Sequence, residues 1–182
     1  MTVPAHLQDV KALLTTEGFA QGTVWYHGTS SALLDSIQAD GLKRSGDRAM
    51  RQAVKKTLAT IGENRSESIE PVFVTPSREL AYFWAMQTVN RRGRFEGAEA
   101  PVVIAINLPE DWQGKVRPDV GAAALLMVNG SDYLTFLGEC YAAAGQTMPD
   151  FEAVPLDRTD YLRKLGMAYL DCDIPASFLQ VL

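Results

Sequence analysis

The sequence predicts an α+β domain, and three features of its pattern carry that expectation. "PVVIAINLP" at 101–109 is apolar on both faces over one strand's length, which marks a central strand. "PVFVT" at 71–75 is a second short run of β-branched and aromatic residues. Around both lie segments whose apolar residues recur at helical spacing. Short strands and helices therefore interleave, and one domain is expected over 1–182.

In chain order, Leu7, Val10, Leu13 and Leu14 predict a first helix over about 5–17 that packs on the domain and ends near Gly18. Val24, Trp25 and Tyr26 read as a short strand. Leu33, Leu34 and Ile37 then give a helical face, with Ser30 or Ser31 as its cap, and Gly41 followed by Leu42 fits a Schellman ending. Met50, Ala53, Val54, Leu58 and Ile61 recur at helical spacing, with Arg48, Arg51 and Lys55 opposite. After "PVFVT", Thr75 can cap a helix with Pro76 at its first position, and Leu80, Ala81, Phe83, Trp84 and Val89 supply its apolar faces. "RRGRFEGAEA" reads as a mobile loop, and "GAAALLMVN" fits either strand or helix. Ser131 caps a helix carrying Leu134, Leu137, Cys140, Tyr141 and Ala144 on one side, closed by Gly145. Tyr161 to Leu165 is a helical turn, and "MAYLDCDIP" a late strand.

With 47% hydrophobic and 21% charged residues, the chain can bury a full core without disulfides or metal. No apolar run approaches the ~20 residues of a membrane span, so no membrane partner is expected. "MTVPAHLQDVKALL" has no charged region leading into an apolar stretch, so no secretory signal is expected. Cys140 and Cys172 lack a C-x-x-C partner, which points to reduced thiols and a cytoplasmic setting. Two cysteines and two histidines in four scattered places show no zinc-ligand spacing, so no metal is expected. The net charge of −5 hides a basic island. From Lys43 to Arg65, seven basic residues face Asp47 and Glu63, giving +5 there and −10 elsewhere. Such an island suits a phosphate-bearing ligand or nucleic acid, or is simply a solvated helix face.

"VWYHGTSSALLDSIQADGLKRSG" (24–46) puts His27 where strand meets helix, followed at once by glycine and two hydroxyl residues. Within it, "YHGTSSALLDSIQADGL" resembles the first catalytic segment of the ADP-ribosyltransferase superfamily, in its diphtheria-toxin-like and poly-ADP-ribose-polymerase-like branch. "PVFVTPSRELAYFWA" is similar to the second segment of that branch, with its two aromatics eleven residues apart at Phe73 and Trp84. "VVIAINLP" would be the next core strand, and "MAYLDCDIPASFL" resembles the late strand. The resemblance spans roughly half of the chain. It implies a split mixed or antiparallel β-sheet core with flanking helices, and NAD as substrate. His27 would orient a ribose, Gly28 would let backbone approach the nicotinamide carboxamide, and Thr29 and Ser30 would reach the adenosine ribose. Phe73 and Trp84 would sandwich the cationic nicotinamide ring, with Thr75 beside them. Arg44 and Arg48 would meet the pyrophosphate or adenine. Aromatics on strands and helices also pack in cores, so Phe73 and Trp84 keep that plainer reading too.

One position departs from the family. Where active relatives carry a glutamate at the start of the late strand, the match falls on Met167 or Ala168. Cleaving a glycosidic bond builds positive charge that a carboxylate stabilises. Glu139 or Glu152 could supply it, Asp171 or Asp173 could, or no acid is used. Three functions follow. The first is a mono-ADP-ribosyltransferase acting on a protein or nucleic-acid acceptor. It would be a toxin, effector or defence enzyme with an antitoxin or immunity partner, cytoplasmic or delivered into a target cell. The second is an NAD-using RNA 2′-phosphotransferase-like enzyme. The third is an inactive module that binds a nucleotide or partner.

Overall fold

A computed structural model describes residues 2–47, 69–93, 98–119, 131–151 and 157–182. The chain enters through a 3-10 turn at Ala5–Leu7 and a one-turn helix, α1 (Val10–Leu13). A hairpin of β1 (Leu14–Thr15) and β2 (Gly18–Phe19) follows directly. The helix expected over 5–17 is thus broken into a turn, a single helical turn and a hairpin. Its start and stop have separate causes. The Glu79 carboxylate accepts from the backbone N–H groups of Asp9 and Val10 at 2.9 and 2.7 Å, which begins α1 there. Gly18, at φ +112°, then turns the chain back where a Cβ would meet the Arg163 carbonyl oxygen at 2.3 Å.

The long strand β3 (Val24–Ser30) runs four residues past the segment expected from Val24, Trp25 and Tyr26. It pairs antiparallel with β5 (Pro101–Asn107) over its whole length, Val24 opposite Asn107 and Ser30 opposite Pro101. That full-length pairing is why His27 lies inside a strand rather than at its end. Between them in sequence come α2 (Leu34–Asp40), β4 (Val72–Val74) and the long helix α3 (Arg78–Arg92). Ser30 accepts from the Ala32 amide and so caps the 3-10 turn leading into α2, and Gly41 closes α2 at φ +82°. After β5 come α4 (Glu110–Gln113), β6 (Val116–Pro118), α5 (Ser131–Ala143), α6 (Arg158–Leu165), β7 (Ala168–Leu170) and β8 (Leu179–Val181). The basic helix expected around 50–61 and the ambiguous "GAAALLMVN" lie outside the described residues.

Two three-stranded antiparallel sheets organise these elements, in the orders β3-β5-β8 and β4-β7-β6. "PVVIAINLP" does hold the centre of the first. The observed class is α+β, built among the described residues from six α-helices and three small antiparallel sheets. One isolated rung joins the two larger sheets. Tyr26 and Thr75 exchange both backbone hydrogen bonds at 2.9 Å, and the ladder goes no further. Alternation along β5 sends Val103 into one core, with Leu80, Phe83, Tyr133 and Leu137. It sends Ile104 and Ile106 into the other, with Trp25, Val72, Val74, Leu170 and Ile174. The first sheet is therefore covered on both faces, and the rung lies where the two sheets part.

Candidate functional site

His27 sits one residue beyond that rung. Its Nδ1 lies 2.8 Å from the carbonyl oxygen of Phe73 in β4. A carbonyl can only accept, so Nδ1 carries the proton and Nε2 keeps its lone pair. Part of the ring surface stays open, yet the protein crowded around it lowers the pKa below the usual imidazole value of 6.5, against the raising effect of the Phe73 carbonyl. The side chain is thus a fixed, neutral hydrogen-bond acceptor at Nε2.

Gly28 explains part of the local packing. A Cβ there would stand 2.0 Å from the Ala81 carbonyl oxygen and 2.5 Å from the Ala85 nitrogen, so the bare glycine lets α3 lie directly on β3. The missing side chain thus makes room for the helix. Tyr26 turns both its backbone groups toward β4, and strand parity turns those of Gly28 to the same edge. There the ladder stops at the one rung, and the Phe73 carbonyl accepts from the His27 ring.

Thr29 and Ser30 are 2% and 0% exposed. The Ser30 hydroxyl donates to Glu99, whose carboxylate grips Arg92 at 2.8 Å, and Arg92 holds Asp47 at 2.7 Å. Arg92 bonding first, then Ser30, holds the Glu99 carboxyl below the usual range against the penalty of burial. The same contacts hold the Arg92 guanidinium in its charged form. These two hydroxyl residues are therefore enclosed in the fold, and Ser30 ties the end of β3 to the end of α3. Of "RRGRFEGAEA", expected as a mobile loop, residues 94–97 lie outside the described residues. Helix α3 runs through Arg92, and Glu99 is locked beneath it.

Thr75 is buried and used by its backbone in the rung, while its hydroxyl accepts from Ser77 N at 3.3 Å. The N-cap of α3 is Ser77 rather than Thr75, because Ser77 accepts from the Leu80 amide and Asp9 accepts from Ser77 and Arg78. Phe73 is 46% exposed. It stands opposite Tyr169 in β7, which stands opposite Arg117 in β6. Trp84 is half-buried and packs on Phe83 and Tyr133 at ring separations of 5.2 and 5.0 Å. The core reading therefore accounts for the contacts of Trp84, whereas Phe73 lies open.

The predicted charged residues separate. Arg44 meets Asp171 at 3.2 Å through Nη1 and takes Asp173 at 2.9 Å through its backbone amide. That amide, first among several causes, lowers the Asp173 pKa. The Arg44 Nε is buried with no hydrogen-bond partner among the described residues. Asp171, just past β7, is 72% exposed along its side chain. Glu139 lies far from these groups, in a groove of about 310 Å³ between α3 and α5 with Met86, Gln87 and Asn90. Those residues sit across α3 from Ala81 and Ala85, so the structure does not bring Glu139 to His27. Arg48 and Glu152 lie outside the described residues. Met167 is partly buried against the first core and offers no acid. Among the described residues no group of three His, Cys, Asp or Glu side chains could hold a metal, and no helix is long and apolar enough to cross a membrane.

Sequence reasoning missed the Arg92–Glu99 pair, the Phe73–Tyr169–Arg117 row and Asp119. Asp119 is 7% exposed, and its backbone N–H donates to the Met167 carbonyl at 3.1 Å. Alternation of apolar and charged residues in "KVRPD" was the available signal for that strand. No family model matches the chain, and no curated protein matches it.

Proposed function

We propose that the chain is an ADP-ribosyltransferase-like split-sheet domain that cleaves NAD and transfers ADP-ribose to a protein or nucleic-acid acceptor. The observation that carries this reading is the fixed tautomer of His27. A neutral imidazole with Nδ1–H pinned to Phe73 presents Nε2 as an acceptor for a ribose hydroxyl. The backbone edge at Gly28 suits an amide that both donates and accepts, as the nicotinamide carboxamide does. The open Phe73 ring is a surface for the cationic pyridinium, a contact worth roughly 0.5–2 kcal/mol. The Arg44 guanidinium, held between Asp171 and Asp173, is the cation that this reading assigns to the pyrophosphate.

In the reaction, the bond between the ribose C1′ and the nicotinamide nitrogen breaks. Its electron pair leaves with nicotinamide, and the acceptor's lone pair closes on C1′ as the acceptor gives up its proton. The His27 ring holds the ribose during this exchange. The apolar Met167 favours a second reading, a binding module without chemistry. Incubation with NAD labelled on the adenine, in the presence of cell extract, separates the two. Label on a macromolecule supports transfer, and tight NAD binding without any label or nicotinamide release supports the module. Removal of a 2′-phosphate from RNA in place of labelling would move the chain to the phosphotransferase reading.

A further inference from the structure

We propose that the open face of the β4-β7-β6 sheet holds the acceptor, and that this acceptor is a single-stranded nucleic acid. The acceptor role rests on the NAD-cleaving reading, whereas the binding does not. Register lines up three side chains across the sheet. Phe73 in β4 stands opposite Tyr169 in β7, and Tyr169 stands opposite Arg117 in β6. Residues in register share one face, so two aromatics and a cation form a row with steps of about 5 Å from strand to strand. The alternate residues Val72, Val74, Ala168 and Leu170 are buried in the second core, which leaves the row on the other face.

The row is open and unengaged. Phe73 is exposed, Tyr169 is half-buried and Arg117 is exposed. Among the described residues Arg117 makes no ion pair or side-chain hydrogen bond, and neither the Phe73 nor the Tyr169 ring stacks on another aromatic. The acids nearby do not cancel the Arg117 charge. Asp171 and Asp173 are held by Arg44 and Lys43, and Asp119 is buried and engaged within the fold. The guanidinium of Arg117 is therefore the charge that this row presents to a ligand.

Flat rings beside a guanidinium match the two parts of a nucleotide, a planar base and an anionic phosphate. A duplex keeps its base faces inside its own stack, so an unpaired strand is the form that offers them. A phosphorylated peptide would satisfy Arg117 but leave the Tyr169 ring without a planar partner. The net charge of −5 gives the strand no bulk attraction, so stacking supplies the hold and Arg117 takes one phosphate. With the pyridinium on Phe73, a base on Tyr169 lies next to it, and its phosphate meets Arg117 in the outer strand. In the transfer, the C1′–N bond breaks with its electrons leaving on nicotinamide. An oxygen or nitrogen of the strand bonds to C1′ through its lone pair, and the proton of that atom passes to water.

The test is fluorescence anisotropy of a short labelled single strand, as DNA and as RNA, titrated with the full chain in the absence of NAD. Tyr169→Leu, Tyr169→Phe and Arg117→Gln are run beside the wild type, with thermal midpoints measured alongside. Tyr169→Leu should weaken binding about fivefold or more, while Tyr169→Phe binds as the wild type does. Arg117→Gln should lower the slope of log Kd against log salt by about 0.7, the share of one phosphate on a single strand. The same strand annealed to its complement should bind more weakly, and a preference for DNA or RNA names the strand. No binding of either strand, or binding unchanged in both Tyr169→Leu and Arg117→Gln, overturns the assignment while leaving NAD cleavage standing. Equal loss in Tyr169→Leu and Tyr169→Phe with lowered thermal midpoints also overturns it, since that pattern belongs to a structural ring. Label from adenine-labelled NAD that protease removes and nuclease does not overturns it in favour of a protein acceptor. Binding by a chain that releases no nicotinamide overturns the acceptor role together with the NAD-cleaving reading.

Discussion

His27 is the residue on which the proposed chemistry of this chain rests, and its ring is held by the Phe73 carbonyl. Its neutral form depends on the protein packed around it, so its pH behaviour is distinctive. The folded-state pKa lies below 6.5, and the unfolded chain therefore takes up the proton first. The stability contributed by this residue is full above about pH 6.5 and is lost as pH falls through the lower folded value. NAD binding should follow the same window. It should hold at pH 6.5, where an ordinary histidine is already half protonated, and weaken only on further acidification. Titration of NAD across pH 5 to 8, with His27→Gln lacking that acid limb, checks this. Glu99 has the same sign for a different reason. Arg92 lowers its pKa, so its contribution is complete above the carboxylate value of 4.5 and is lost as pH falls below it. Replacing Arg92 with Met leaves Glu99 buried without its guanidinium and should cost about 3–5 kcal/mol by denaturant titration, with most of it regained in the Arg92→Met, Glu99→Gln double variant.

At the scale of elements, the crossing of α3 over β3 sets the geometry. Gly28→Ala places a methyl against the Ala81 carbonyl and the Ala85 nitrogen, both backbone atoms that cannot swing away. It should destabilise the fold by about 3 kcal/mol, read as a fall in thermal midpoint, and weaken NAD binding in parallel because β3 must shift. A second lock is the exchange of caps, in which Asp9 serves the start of α3 and Glu79 the start of α1. Asp9→Ala should cost at least 1–2 kcal/mol by the same measurement, as it strips several N–H groups of their acceptor. The elements also show what could be read in advance. "PVVIAINLP", the α2 ending at Gly41 and the helix of Leu137, Cys140 and Tyr141 were legible because their patterns are local. The breakup of the first helix was not, since its start depends on Glu79, far along the chain. Nor was the length of β3, which comes from pairing with β5.

For the molecule as a whole, the two sheets joined by one rung between Tyr26 and Thr75 create the place where His27, Gly28 and Phe73 meet. The sequence brought those three residues to notice through spacing and resemblance. It did not show that Phe73, Tyr169 and Arg117 lie side by side, because side chains on β4, β7 and β6 become neighbours only through register, which no local pattern encodes. It also set Ser30 beside a ligand, where the fold encloses it with Glu99 and Arg92. The central claim is that His27 orients NAD for cleavage at this junction. The most direct measurement is nicotinamide release from NAD by the purified wild-type chain beside His27→Ala, both with unchanged thermal midpoints. The account predicts release by the wild type and a loss of about 100-fold or more in the variant. Equal release by the two proteins, or none from the wild type with cell extract added, would contradict it.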